Sequence, residues 1–285
     1  MEHSTRSEET SRTDTNGSDK PSDPILTLEG ITVRFGGLIA LADVSLAVEP
    51  GTVFGLIGPN GAGKTTMFDV ICGVRTPNEG RVGFAGEDAT RWSAVRRARF
   101  GMRRTFQRVQ NFGWLSVEDN VLAATEWVGG GGGFLADVAG LPSRRIRERD
   151  RRERVERVLQ DCGLTNIRTH PVASLPIGQA RMVEFARAVV DDPKLVLLDE
   201  PTSGLDEAES ERLVEQLQRL RGRTSCSVVL VEHDMSFVMG QCDAIAVLNS
   251  GRVVTIGTPG EVQANPVVRA AYLGEEVGPA PSRSH

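Results

Sequence analysis

Nine consecutive residues carry the most specific chemistry in the chain: Gly58-Pro59-Asn60-Gly61-Ala62-Gly63-Lys64-Thr65-Thr66. They follow the pattern G-x-x-x-x-G-K-[ST] of a phosphate-binding loop. Glycines let successive backbone N–H groups turn inward around phosphate oxygens, and a helix starting at the end of the loop adds the positive end of its dipole. Lys64 is then placed to reach the β- and γ-phosphates, and Thr65 to offer a hydroxyl to Mg²⁺. A glycine turn that only joined a strand to a helix would not need Lys-Thr at that offset.

Hydrolysis of a nucleotide needs more than a cradle. It needs a metal carboxylate, a polarised water and a group that senses the γ-phosphate. Leu195-Val196-Leu197-Leu198-Asp199-Glu200 supplies the first two. An apolar strand that ends in an acid brings Asp199 beside the phosphate loop to hold Mg²⁺, directly or through water. Glu200 follows at the strand's tip, where it can orient and deprotonate water.

The flanking elements are those such a site requires. Val53-Phe54-Gly55-Leu56-Ile57 reads as a buried strand before the loop, and Met67 to Cys72 as a buried helix after it. Upstream, Ile31 to Phe35 and Val44 to Val48 alternate as strands, with turns at Gly36-Gly37 and Pro50-Gly51; Arg81 to Ala85 reads as a further edge strand. From residue 94 to about 190 helical patterns replace strands, broken by the glycine run 129–133. Strand and helix then alternate through 194–198, 207–221 and 227–231, which implies parallel pairing. The expected architecture is α/β: a P-loop NTPase core with an antiparallel β edge and an inserted helical subdomain. Residues 1–24 hold no apolar residue except Met1 and read as a disordered tail, residues 25–275 as the ATPase domain, and 276–285 as a second flexible tail.

Composition narrows the class. A chain of 285 residues with 39% hydrophobic and 25% charged residues can bury a full core. The net charge of −5 gives no nucleic-acid signal. Residues 144–157 hold eight arginines, but Glu148, Asp150, Glu153 and Glu156 lie among them. Val155, Val158, Leu159 and Cys162 fall on one helical face, so this stretch reads as a solvated amphipathic helix. Four widely spaced cysteines read as apolar fillers in a reducing compartment. No apolar run approaches the ~18 residues of a bilayer span, so a cytoplasmic protein is expected, peripheral on the inner face of the membrane if it works there.

With these motifs in hand, the chain resembles the ATP-binding subunit of an ABC transporter over about residues 25–275. The resemblance implies further site residues. Phe35 matches the aromatic that stacks on adenine, and Gln107 in Arg104-Thr105-Phe106-Gln107 matches the Q-loop glutamine that senses Mg²⁺ and meets the membrane subunit. Leu175-Pro176-Ile177-Gly178-Gln179 matches the signature, Ser203-Gly204-Leu205-Asp206 the D-loop, and His233 the switch histidine that contacts the γ-phosphate. Pro176 and Ile177 depart from the common Leu-Ser-Gly-Gly-Gln, and a proline there resembles the branch that powers branched-chain amino acid importers. Arg103 to Gln107, Leu141 to Arg145 and Asn265 to Glu275 are similar to the same branch. Related importers of urea and short amides share much of this pattern.

The resemblance also implies partners. ATP would lie between Lys64 and Thr65 of one subunit and Gly178 of a second ATPase subunit, identical or not. Two membrane-spanning permease subunits would be driven by closure of that dimer, and a periplasmic or extracellular solute-binding protein would deliver the solute. Permease contact is expected near Gln107 and Val109 to Leu115. There Phe112, Trp114 and Leu115 form an apolar cluster suited either to a permease helix or to capping the helical subdomain's own core. Two other classes share parts of this pattern: a soluble ABC ATPase acting on ribosome or nucleic acid, and the ATPase of another transporter such as a lipopolysaccharide exporter. One ATPase unit with a short insert argues against the first, and Arg104 to Gln107 against the second; no nucleic-acid partner is expected.

Overall fold

The computed structural model of the chain describes residues 23–105, 110–125, 142–223 and 225–272. In order, the elements are β1 (Leu26–Phe35), β2 (Leu38–Val48), β3 (Val53–Ile57), α1 (Lys64–Cys72), β4 (Glu79–Phe84), β5 (Glu87–Asp88), α2 (Ala94–Arg99) and β6 (Met102–Arg104). They continue with α3 (Val117–Ala124), α4 (Pro142–Asp161), α5 (Ile177–Val189), β7 (Leu195–Asp199), α6 (Glu207–Arg223), β8 (Ser227–Val231) and α7 (Met235–Gln241). The last are β9 (Ala244–Asn249), β10 (Arg252–Gly257), α8 (Pro259–Ala264) and α9 (Pro266–Tyr272).

Two sheets form. A six-stranded sheet has the order β10-β9-β3-β8-β7-β6. All its pairs are parallel except β10 with β9. β3, β7 and β8 are buried along their whole length, as expected of central parallel strands covered on both faces. The second sheet is antiparallel, in the order β2-β1-β4-β5.

Alternation along the central strands divides the core in two. Leu195 and Leu197 of β7 pack with Phe54, Leu56, Met67, Phe68 and the inner face of the antiparallel sheet. Val196 and Leu198, one residue out of phase, pack with Val183, Ala186, Leu213 and Leu217 of α5 and α6. Each such side chain contributes ~1.5–3 kcal/mol by leaving water. The phosphate-loop helix α1 is thereby clamped between the two sheets.

The expected strands and helices recur with modest extensions, and one element departs from expectation. Between residues 94 and 190 the pattern promised helices alone. Instead β6 interrupts them and pairs in parallel with β7, Arg104 opposite Leu197. At three residues it is too short to show a period. α3, α4 and α5 carry the helical part. Val155, Leu159 and Cys162 are buried there and Val158 packs against them, as the helical spacing required. Two arginines of α4 are partnered on their own surface: Arg149 with Glu153 and Arg152 with Glu148, both one helical turn away. Arg168 ties Glu118 of α3 to Glu156 of α4, each at 2.7 Å. The four cysteines are buried, and none is joined in a disulfide. Gln107 with Phe106 and Val109, the glycine run 129–133, Leu141, residues 1–22 and residues 273–285 lie outside the described residues.

Candidate active site

β3 delivers the chain to the phosphate loop, and the loop is shaped by its neighbours. A β-carbon at Gly58 would lie 2.3 Å from the Leu248 carbonyl oxygen on β9. One at Gly63, where φ is +105°, would lie 2.7 Å from that of Ala40. Neither position admits a side chain. Between them the Ala62 N–H donates to the Pro59 carbonyl at 3.1 Å and closes a turn whose tip, Pro59 to Gly61, faces solvent. α1 starts at once, and Gly63 offers no side-chain cap to its first N–H groups. Uncapped donors at a helix start, with glycines around them, suit a phosphate.

Lys64 is the first residue of α1. Its ammonium folds back over the loop and donates to the carbonyls of Gly58 at 2.6 Å and Pro59 at 3.0 Å. Burial pushes its pKa down, while the charges of Glu200 and Asp199 pull the other way. Both acids therefore lie near enough to act on the lysine's charge. Thr65 is exposed beside it.

Asp199 ends β7, as the apolar run predicts. Its Oδ2 accepts from Arg104 Nη2 at 2.9 Å, and Arg104 Nη1 also donates to Asp69 Oδ1 on α1 at 2.7 Å. Glu200 lies one step past the strand, with φ at +48°. This left-handed backbone is costly for a side chain with a β-carbon and is held by the Glu200 N–H donating to the Val231 carbonyl at 2.9 Å. The turn aims Glu200 Oε1 at His233 Nε2, 2.8 Å away. Residues from two strand ends thus meet.

Glu232, absent from the sequence-derived site, fixes that meeting. It is 4% exposed. Its Oε1 accepts from the Thr202 N–H and hydroxyl, and its Oε2 from the His233 N–H at 3.0 Å. One carboxylate thereby ties the turn after β7 to the turn after β8. Its only sequence signal is an acid closing an apolar strand, the same signal that marked Asp199. Arg104 was noted as part of a motif, without a role. Arg181 on α5 adds a bond to the Glu200 carbonyl at 3.2 Å.

The other expected residues lie around this centre in different settings. Phe35 is 42% exposed at the end of β1, with the Arg75 guanidinium 4.1 Å over its ring. Gly178 and Gln179 start α5 after Pro176, which provides no side-chain cap. Gly178 abuts Glu209 of α6. Asp206 Oδ1 accepts from the Glu209 N–H at 2.7 Å and so caps α6. Thr65 and Asp199 offer oxygen donors only, the set that suits Mg²⁺. They could hold one face of the ion, its other ligands coming from phosphate and water.

A glycine cradle, a buried lysine, a strand-end acid pair and an imidazole on the second acid define a P-loop nucleoside triphosphatase of the ATP-binding-cassette kind. The comparisons agree. The family described as ABC transporter matches residues 41–203. That described as branched-chain amino acid ATP-binding cassette transporter matches residues 252–278. The chain is 39% identical over 254 residues to the high-affinity branched-chain amino acid transport ATP-binding protein BraF of Pseudomonas aeruginosa, covering 89% of this chain and 99% of that one. It is 36% identical over 255 residues to the lipopolysaccharide export system ATP-binding protein LptB of Acidithiobacillus ferridurans, covering 88% and 98%. A nucleotide-free ATP-binding cassette from an ABC transporter superposes with a TM-score of 0.75 at 28% identity, covering 88% and 100%. This chain belongs to the ABC transporter ATP-binding proteins. It binds ATP and is an ATPase. Among the described residues, no helix is long and apolar enough to cross a membrane.

Proposed function

We propose that the protein is the ATP-hydrolysing subunit of an importer for branched-chain amino acids or related amides. The observation that carries the enzymatic part is the Glu200–His233 pair at 2.8 Å, set at the tip of β7 near Lys64. The match of residues 252–278 and the likeness to BraF support the choice of solute. Nothing in the hydrolytic site requires that C-terminal segment, so its kinship is informative about the branch.

Each residue then has a task. The loop N–H groups from Gly58 to Thr66 cradle the β- and γ-phosphates, and Lys64 exchanges its loop carbonyls for phosphate oxygens. Phe35 stacks on the adenine. Thr65 and Asp199 would hold Mg²⁺, which would supply Lewis-acid stabilisation of charge on the phosphates, and Gln107, outside the described residues, keeps the metal-sensing role that the family resemblance implies. Glu200 orients the attacking water and takes its proton. His233, held by Glu200 and by the Glu232 carboxylate, donates to the γ-phosphate. Gly178, Gln179 and Asp206 serve the nucleotide of a second ATPase subunit. Closure of that pair on ATP moves two membrane-spanning permease subunits, and a solute-binding protein feeds them from outside; in this proposal the subunit works on the cytoplasmic face of the membrane.

Glu200→Gln tests the mechanism. Hydrolysis should fall at least ~100-fold while ATP binding persists and a closed dimer accumulates. Steady turnover in that variant would remove Glu200 as the base. Disrupting the gene should reduce uptake of radiolabelled leucine. Unchanged leucine uptake would remove branched-chain amino acids as the solute, and unchanged uptake of labelled urea and short amides as well would overturn the assignment and favour another transporter.

A further inference from the structure

We propose that Arg104 makes metal binding at Asp199 conditional on nucleotide. Arg104 is a positioning residue that stands in for a cation until phosphate arrives. This rests on Asp199 as the metal carboxylate, the reading given above.

The argument is one of charge and place. The Arg104 guanidinium spans two carboxylates, Asp199 Oδ2 at 2.9 Å and Asp69 Oδ1 at 2.7 Å. The Arg104 and Asp199 side chains are each 12% exposed, and Asp69 30%. Solvent screens such a group poorly, so each charge is strongly felt. The guanidinium cannot drift away. Its strand is registered against β7, with Arg104 opposite Leu197, and the Phe68 ring lies 5.6 Å from its carbon. Asp69 and Phe68 both belong to α1, the helix that begins at Lys64. One arginine therefore joins the metal acid to the helix of the phosphate loop.

A bare divalent ion approaching Asp199 meets this guanidinium at 2.9 Å from Oδ2, and the Lys64 ammonium adds a second positive charge felt at the same acid. Three carboxylates, Asp69, Asp199 and Glu200, are already set against these two cations. Among the described residues no three His, Cys, Asp or Glu side chains converge to hold a metal by themselves. A nucleotide changes the balance. Its phosphates bring several negative charges and oxygen ligands to the same loop, enough to hold the ion against the arginine. The protein then gains metal only together with substrate. Without Arg104, the two carboxylates that now share one guanidinium would lose its positive charge, and a divalent cation would meet less repulsion at Asp199.

The test is a Mn²⁺ titration followed by electron paramagnetic resonance on the full chain, with and without a non-hydrolysable ATP analogue. The wild type should bind Mn²⁺ tightly only with the analogue, and Asp199→Asn should weaken that binding. Arg104→Gln should bind Mn²⁺ without nucleotide on the order of tenfold more tightly than the wild type. Arg104→Lys keeps the charge but cannot span both acids. It should fall between the two, and it decides the matter if the glutamine variant does not fold. Nucleotide-free Mn²⁺ affinity unchanged in the variant that folds overturns the inference while leaving Asp199 as the metal ligand. Analogue-dependent Mn²⁺ binding that is indifferent to Asp199→Asn overturns both.

Discussion

Glu209, in the first turn of α6, presses its carboxylate against Gly178 in the first turn of α5. A β-carbon built on Gly178 would lie 2.0 Å from Glu209 Oε1. The carboxylate is not free to swing aside without loss, because its Oε2 accepts from the Asp206 N–H at 3.1 Å while the Glu209 N–H donates to Asp206. The signature helix and the helix after the D-loop are thus fitted through one glycine and one capping acid.

Gly178→Ala should therefore break the α6 cap and cost about 1–2 kcal/mol of stability. Glu209→Ala alone should cost about 1 kcal/mol, because it leaves the Asp206 cap in place but removes the reciprocal bond to the Asp206 N–H. The double variant should be less destabilised than the sum, with a coupling of at least ~0.5 kcal/mol by denaturant melts. Strict additivity would mean that the two residues do not press on one another.

Glu232 makes a second prediction. It accepts from Thr202 twice and from the His233 N–H. Glutamine keeps one acceptor and turns an amide against a backbone donor. Glu232→Gln should cost about 1–3 kcal/mol by leaving a buried polar group unpaired. It should also shift His233 and lower turnover between ~10- and ~100-fold, with nucleotide affinity little changed. ATPase assays beside nucleotide titrations separate these effects.

The core and the centre of the site were legible because each rests on a local rule. Gly58 and Gly63 stand where neighbouring carbonyls admit no β-carbon, and Asp199 and Glu200 follow a strand whose buried run is unambiguous. What stayed hidden depends on pairing between distant segments. β6 has three residues and exists through its register with β7. The grip of Arg104 on Asp199 follows from that register, and the grip of Glu232 on Thr202 from two adjacent strand ends. No spacing in the chain announces either contact. The Phe35 ring illustrates the converse: the alternation puts it at a strand end, where it lies, but its partner Arg75 comes from the turn after α1.

Asp191 should give stability an unusual pH dependence. Its side chain is 3% exposed. Oδ2 accepts from Arg103 Nη2 at 3.1 Å, while Oδ1 has no partner among the described residues. Burial raises its pKa, and the hydrogen bond and charge of Arg103, with Arg154 beyond, only partly offset this. The unfolded chain therefore loses this proton at a lower pH than the folded one. Stability from this residue is full below the ordinary aspartate value of about 4 and declines as pH rises through the higher folded value. Asp191→Asn should remove that downward component. Chemical melts at intervals from pH 4 to 7 would show a slope difference between variant and wild type; parallel curves would contradict the assignment.

Trp114 is 82% exposed and Phe112 42%, their ring centres 6.3 Å apart. Of the two uses weighed for this apolar cluster, capping the helical subdomain's own core does not fit so exposed an indole. Phe112 is held from behind, with the Arg187 guanidinium 5.1 Å over its ring and its N–H donating to Asn120 Oδ1 at 2.9 Å. Trp114 is the part left for a partner, which in the proposed function is a permease helix. Trp114→Ala should then change stability by less than ~0.5 kcal/mol, as an exposed substitution does. Hydrolysis by the detached subunit should stay within about twofold of wild type, since the residue touches none of the reacting groups. Leucine uptake and co-purification with the permease should fall together, by about tenfold if the indole is an interface anchor worth ~1.4 kcal/mol or more. Full uptake with the alanine variant would place the permease contact elsewhere on the surface.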